Sequence, residues 1–424
     1  MHRFARHTVL FVLAVLTYRR ALSAYFFDDD LQWLVGSWAF SPANLWALGR
    51  MDHFYRPTID LYFAVCSRLF AGSPILFHAA SIAMHAAVSI TLFVFLRRLT
   101  RDGLYAFIAA TFFVLQPGGI DAVAWVGALA ETLGALFGCL SLLWFLEWRE
   151  NGRAWCYPAS WLAYAAALLT HESSVVFLPL LVLTDWVHGE GAVERRHLHR
   201  EHRLRAVAGY GVLTAVYLAV DLFINSRNYI VREGHYTAGW HMVGNGLRYI
   251  ESMYVGRFDL LNDAVVVLLL LALLVRGTGR VRLAVLWMLL ALLPFVPFTW
   301  ANTSRYMYQP AIGLSMLMAE AICALASVLE SRTGRTMRIA LVTLVVVVLA
   351  GRSMRFATHN VAQFAVRTET YRQEGRRLRA LNGPLTSHSV IRADDQLRST
   401  LAYPFANALV AWIYQDPTIT LEQY

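Results

Sequence analysis

The chain has 424 residues, 58% of them hydrophobic and 15% charged. Soluble domains sit near half apolar and a quarter charged, so this balance excludes an ordinary soluble enzyme and points to a polytopic membrane protein. The net charge of +9 is no nucleic-acid footprint, because it collects in short basic loops between apolar segments, as cytoplasmic loops do.

All 37 Lys-plus-Arg positions are arginine. Cys66, Cys139, Cys156 and Cys323 have no metal-ligand spacing and imply no disulfide framework; they read as small packing hydrophobes. The expected surroundings are a lipid bilayer, and no nucleic-acid partner is expected.

In chain order, "MHRFARHTVLFVLAVLTYRRALSA" resembles a signal peptide, but the many later spans favour an uncleaved first span at about 8–24. Arg19 and Arg20 at its outer end either snorkel or hold an anion. A long first outer loop, about 25–73, opens with "YFFDDD" and continues with Trp33, Trp38 and Trp46. This pattern predicts a helix in the membrane interface, broken at Pro42.

Further spans are predicted at about 75–96, 104–116, 122–146, 206–224, 261–275, 283–298, 310–330 and 338–351. Two short spans, at about 157–170 and 172–187, meet at His171-Glu172. A second outer loop covers about 225–259. The fold class is therefore an all-α polytopic membrane protein with about 11 transmembrane helices.

Arg97, Arg98 and Arg101, the "ERRHLHREHRLR" loop, Arg276, Arg280 and Arg282, and Arg332, Arg335 and Arg338 mark the cytoplasmic side together with the N-terminus. Two regions follow: a transmembrane domain, 1–351, and a small extracytoplasmic segment, 352–424. In the latter, "HSVIRADD" and "TITL" read as strands and "YPFANALVAWIYQ" as a helix, an α/β tail.

With this topology the unusual polar residues share the outer side. They are Asp28, Asp29, Asp30, Tyr55, Arg56, Asp121, Glu131, His171, Glu172 and Arg305. Ionisable groups at bilayer depth are expensive and usually face a bundle interior or a wet cavity. Helices of about 13 residues do not cross a full hydrocarbon core, so the His171-Glu172 junction should dip into such a cavity.

Singly, each has a plainer reading. The aspartate run is a solvated loop entry, or Arg56-Pro57 only a helix start. Asp121 favours a helix dipole, His78, Ser81 and His85 make interhelical hydrogen bonds, and Ser304–Tyr306 anchors an interface. Their shared side argues for a site.

The motifs resemble the GT-C class of membrane glycosyltransferases, and most nearly the transmembrane O-mannosyltransferase group and its bacterial relatives, over about residues 24–315. "FFDDD" resembles the aromatic-Asp-Asp of that group's first outer loop, and "FYRPTIDLYF" its Tyr-Arg-Pro segment. "FHAASIAMHAAV" is similar to a span with two His seven apart. "FFVLQPGGIDAVAWVGALAETLGALF" resembles its His-Pro…Glu-Ala-Val-Ala-Trp segment. "LLTHESSVVFLPLLVL" sits where the family has Lys-Glu, and "SRYMYQPAIG" is similar to Glu-Arg-Tyr-x-Tyr-x-Pro.

Departures are Gln116 for His, Asp121 for Glu, Ala130 for Arg, Glu131 for Asp, His171 for Lys and Ser304 for Glu. The tail also lacks that group's helical repeats.

The resemblance implies a polyprenyl-phosphate-linked sugar, a hexose by expectation, and transfer to an acceptor hydroxyl on a protein, glycan or lipid. Asp28 or Asp29 would be the base, the triplet allowing two registers. Arg56, His171 and Arg305 would meet the donor phosphate, with Tyr55 and Tyr306 adding hydrogen bonds. Asp30, His78, His85, Asp121, Glu131 and Glu172 would line the cavity.

No cofactor is required, although Asp28, Asp29 and Asp30 together would also suit a divalent cation. The expected location is a bacterial inner membrane, N-terminus cytoplasmic and C-terminus periplasmic. A lipid or polysaccharide transporter, or a non-catalytic binder of lipid-linked sugar, are the alternatives.

Overall fold

A computed structural model of the chain describes residues 2–46, 54–190, 200–254, 259–300, 303–330 and 334–424. Residues 194–199 of the basic loop, Ala301, Asn302 and Arg332 lie outside the described residues.

The elements run in chain order as α1 (His2–Tyr18), α2 (Asp29–Trp38), α3 (Pro57–Phe70), α4 (Pro74–Thr100), α5 (Gly103–Val114), α6 (Asp121–Ala124), α7 (Leu129–Asn151), α8 (Cys156–Leu168), α9 (Phe177–Glu190), α10 (Arg200–Asn225), α11 (Tyr229–Arg232), α12 (His241–Tyr254), α13 (Leu260–Arg276), α14 (Gly279–Leu292), α15 (Pro310–Glu330) and α16 (Arg335–Asn382). Then come β1 (Val390–Ile391), α17 (Asp395–Thr400), α18 (Tyr403–Tyr414) and β2 (Thr420–Leu421).

Every predicted apolar segment contains a helix, but the one at 283–298 is helical only to Leu292, the one at 122–146 is broken by a 3-10 turn, and the one at 172–187 opens with such a turn. Five helices among the described residues are long and apolar enough to cross a membrane: Pro74–Thr100, Val126–Asn151, Arg205–Asn225, Pro310–Glu330 and Arg335–Asn382. Local chemistry sets many of the ends. Pro57 and Pro74 occupy the first turns of α3 and α4, where a missing N–H is harmless. Asp102 caps α5 by accepting from the N–H groups of Leu104 and Tyr105, each at 3.0 Å. Helix α7 ends at Gly152, whose φ of 64° suits glycine.

The core lies between α1, α4, α5, α7, α14 and α15, around Tyr105, Phe95, Phe112 and Trp287. Short helices break into 3-10 turns at Pro117–Gly119, Val126–Ala128, Glu172–Val176 and Ser304–Met307. Three of these turns supply Gly127, Glu172, Ser173, Arg305 and Tyr306 to the site described below.

The expected boundary at 351/352 falls inside one uninterrupted 48-residue helix, α16, about 70 Å long at 1.5 Å per residue. Burial changes there, not the backbone. Met337, Ile339, Leu344 and Val347 are exposed, as on a lipid-facing helix. From Ala357 onward, Val361, Phe364, Thr368, Tyr371, Gly375 and Leu378 form a buried stripe three or four residues apart.

Beyond it, β1 and β2 pair in parallel, Val390 with Thr420 and Ile391 with Leu421. Asp394 caps α17 and is bound by Arg377, which with the cap holds its carboxyl at about 2. A second core joins this tail to α2, α3 and α7 through Phe26, Leu34, Phe63, Leu397 and Leu409.

The predicted interfacial helix is α2, followed by a 3-10 turn at Pro42–Trp46. Its tryptophans are engaged by the protein: Trp33 stacks on Phe63 and Trp38 on Trp412.

Close packing of α14 on α15 rests on Gly313. A Cβ there would lie 2.4 Å from the Ala284 carbonyl oxygen and 2.7 Å from the Met288 nitrogen. Small residues allow this backbone approach in membrane bundles. We expect Gly313→Ala to destabilise the detergent-solubilised protein by about 1–3 kcal/mol, read as a lower thermal midpoint. Gly211→Ala on α10, where a Cβ meets nothing within 4 Å, should leave the midpoint unchanged.

Candidate active site

The three adjacent aspartates point three ways. Asp30 is fully buried at the start of α2. Its carboxylate accepts from the Phe27 N–H at 2.8 Å and from the Gly127 N–H. Burial holds this carboxyl well above the usual range despite those bonds. Asp28 sits at the N-cap position with φ 44° and ψ −114°, yet makes no capping bond to its own helix. Such a backbone is strained for a residue with a Cβ, by about 1–3 kcal/mol. Its Oδ1 accepts from the Tyr371 hydroxyl instead. Burial raises the Asp28 carboxyl, and Asp29 adds to that, against the pull of Tyr371 and two arginines. Asp29 alone faces the cavity, with the Arg305 guanidinium 4.0 Å away.

That cavity is about 860 Å³, within the usual range for small-molecule sites. Its polar end is built from helix ends. Arg56, just before Pro57, donates from Nε to both oxygens of Glu172 at 3.2 Å and from Nη2 at 2.9 Å. Both oxygens of Glu172 are thus engaged by the guanidinium in one salt bridge. The pair is therefore ionised.

His171 Nδ1 accepts from the Ser173 N–H at 3.1 Å. In the neutral ring Nε2 then carries the proton, and it faces Glu131 Oε1 at 3.4 Å. In that neutral form the buried ring offers a hydrogen bond and not a charge. Gln309 Nε2 donates to Glu131 Oε2 at 3.4 Å and to Ser173 Oγ at 3.2 Å. Arg305 lies over the Trp125 ring, 4.6 Å from its centroid, and donates to the Tyr306 hydroxyl at 3.3 Å. Trp125 in turn donates from Nε1 to the Phe27 carbonyl at 3.2 Å, which ties the arginine's platform to the aspartate loop.

Of the residues expected at the site, Asp29, Tyr55, Arg56, Glu131, His171, Glu172, Arg305 and Tyr306 line this one cavity. Others do not. Asp28 and Asp30 are turned into the protein, as described. His78 and His85 are buried in the bundle; His85 Nε2 donates to the Val114 carbonyl at 3.2 Å, leaving Nδ1 to accept from Tyr308 at 2.8 Å. Asp121 faces Arg367 at 3.7 Å, outside the cavity lining. The cation site suggested for the aspartate triplet is not formed, because the three carboxylates diverge to separate partners. Among the described residues no other cluster of three or more acidic, His or Cys side chains would hold a metal.

Sequence reasoning missed Asp221 and Asn225, which also line the cavity and are hydrogen-bonded to each other at 2.8 Å. A carboxylate inside the apolar run 206–224 was the available signal. It also missed Gln309, which stands inside the quoted "SRYMYQPAIG".

No protein-family model matches the chain. Over 161 residues it is 27% identical to the mouse protein O-mannosyl-transferase TMTC1, covering 34% of this chain and 17% of that protein. Over 191 residues it is 26% identical to human protein O-mannosyl-transferase TMTC2, covering 41% of this chain and 23% of that protein. The match thus spans less than a quarter of either relative's length.

Among solved structures, ArnT from Cupriavidus metallidurans in the apo state superposes with a TM-score of 0.58 at 15% identity, covering 98% of this chain and 85% of that one. The Archaeoglobus fulgidus oligosaccharyltransferase tethered to an acceptor peptide gives 0.58 at 10% identity, covering 99% and 63%. At such identities the likeness is one of architecture, and it extends over nearly the whole chain. With its apolar helix bundle and cavity built from helix ends, the chain has the fold shared by ArnT and the archaeal oligosaccharyltransferase.

Proposed function

We propose that this protein is a glycosyltransferase that moves a sugar, a hexose by expectation, from a polyprenyl-phosphate carrier to an acceptor hydroxyl. The reaction runs at the extracytoplasmic face of a bacterial inner membrane. The chain crosses that membrane about 11 times, N-terminus cytoplasmic and C-terminal tail outside. The observation that carries the reading is the pairing of Asp29 with Arg305, 4.0 Å apart, in the lining of one cavity.

Two further features support it. Leu218, Leu222 and Leu293 line the cavity and are exposed, so an apolar chain would meet an open apolar wall there. Two solved neighbours carry lipid phosphates: ArnT has been seen bound to undecaprenyl phosphate (TM-score 0.55) and the archaeal oligosaccharyltransferase with dolichol-phosphate and an inhibitory peptide (TM-score 0.52).

In this mechanism the acceptor oxygen attacks the anomeric carbon, and the carbon–oxygen bond to phosphate breaks. Asp29 takes the hydroxyl proton. The lipid phosphate leaves with the bonding electrons and needs no proton from a strong acid. Arg305 meets its developing charge, braced over the Trp125 ring and suited to bidentate contact. Arg56 shares its charge with Glu172 and acts mainly by fixing the polar wall. His171 contributes a hydrogen bond.

Asp29→Asn should lower sugar transfer by about a hundred- to ten-thousandfold, the usual contribution of a general base, with donor binding retained. The assay is sugar release from a panel of undecaprenyl-phosphate-linked sugars by protein reconstituted in vesicles. Wild-type protein that moves lipid across the bilayer without releasing sugar would favour transport and contradict the proposal. Arg305→Ala should weaken the donor's apparent affinity by about ten- to a hundredfold, as expected for losing a charged hydrogen-bond pair. Arg305→Lys should recover only part of it, since the point charge lacks the planar fork. Equal donor KM in all three proteins would remove Arg305 from the phosphate site.

A further inference from the structure

The cavity explains Asp29 but not why its two neighbours turn away from it. Asp28 is the more informative. An aspartate at an N-cap position usually accepts from the first N–H groups of its own helix. Here that local bond is forgone, and the side chain reaches a tyrosine 343 residues later in the chain. The residue also keeps a positive φ, which an L-residue holds only where the surroundings over-determine it.

Those surroundings come from the C-terminal segment. Within about one turn of α16, Thr368 Oγ1 accepts from the Tyr25 N–H at 2.9 Å, the Tyr371 hydroxyl donates to Asp28, and Arg372 Nη2 donates to the Ser23 carbonyl at 3.2 Å. Tyr371 is itself buried and rests edge-on against Phe27, ring centroids 5.4 Å apart. From the other flank, Trp412 of α18 donates from Nε1 to the Tyr25 hydroxyl at 3.2 Å, meets Phe26 edge-on at 5.4 Å and stacks on Trp38. None of Thr368, Tyr371 and Trp412 lines the cavity.

We propose that the C-terminal segment is a clamp on the aspartate loop, and that Tyr371 is a positioning residue that turns Asp28 aside so that Asp29 alone faces the cavity. Asp28 and Asp30 are each anchored on the protein side, to Tyr371 and to Gly127. The residue between them, at the start of a rigid helix, then has one direction left. Tyr371 touches neither donor nor acceptor; it acts through the backbone at Asp28. The tail is thereby part of the catalytic apparatus although it lies outside the cavity. The catalytic consequence rests on the transferase reading; the clamp itself does not.

The test removes one oxygen. Tyr371→Phe in the full-length reconstituted protein should lower kcat for sugar transfer by about ten- to a hundredfold, the effect of a small misplacement of a reacting group. The donor KM should stay within about twofold, with no matching loss of thermal midpoint. Asp28→Ala should do the same, and the double variant should lose no more than the worse single one, because the two groups act as one unit.

Hydrogen exchange over residues 24–38 provides a readout without turnover: it should speed up in Tyr371→Phe and in Asp28→Ala. If wild-type protein releases no sugar, the transferase reading fails, and faster exchange in the variants still supports the clamp. Unchanged exchange in both variants would overturn it, as would multiplicative losses of kcat in the double variant.

Discussion

Like charges cannot share a water-poor pocket, and the aspartate triplet shows how this protein obeys that constraint. Each carboxylate has a different partner: Tyr371 for Asp28, Arg305 for Asp29, and the backbone N–H groups of Phe27 and Gly127 for Asp30. The geometry around them follows. Asp30 ties the loop to the turn that opens α7. Asp28 ties it to α16. Asp29 remains opposite a guanidinium that is itself braced on Trp125. Two of the three carboxylates therefore serve to aim the third.

The same principle organises the cavity wall. Arg56 and Glu172 come from helix ends 116 residues apart, and neither would be tolerated alone at that depth. Paired, they leave a neutral His171 and the buried Glu131 as a polar lattice joined by Gln309. The 3-10 turns that interrupt the bundle make this possible. They bring polar groups inward where continuous helices would have offered only apolar faces, and irregular backbone is admissible at membrane depth when it lines a cavity.

Much of this was legible in the sequence. Apolar runs bounded by Arg clusters gave the helices, and polar residues at run ends gave eight of the cavity's lining residues, from Asp29 to Tyr306. The residue types and their order carried the resemblance to the GT-C class, and with it the fold. What could not be read were directions and long-range partners. No local pattern tells that Asp29 and not Asp28 meets the cavity, since the deciding contact lies on Tyr371. His78 and His85 share a helix face, but only packing tells whether that face meets the cavity or Tyr308. Asp221 was hidden because one carboxylate barely alters the apolar character of its run. The 351/352 boundary was drawn from hydropathy, whereas α16 changes its surroundings there without changing its conformation.

The account's central claim concerns where the donor's phosphate and anomeric carbon lie. The most direct measurement is an experimental structure of the Asp29→Asn variant holding an intact undecaprenyl-phosphate-linked sugar. The account predicts the phosphate within hydrogen-bond distance of Arg305, the anomeric carbon facing residue 29, and the prenyl chain leaving past Leu218 and Leu222. A phosphate bound away from Arg305, or a sugar facing Asp28 or Asp221 instead, would contradict it.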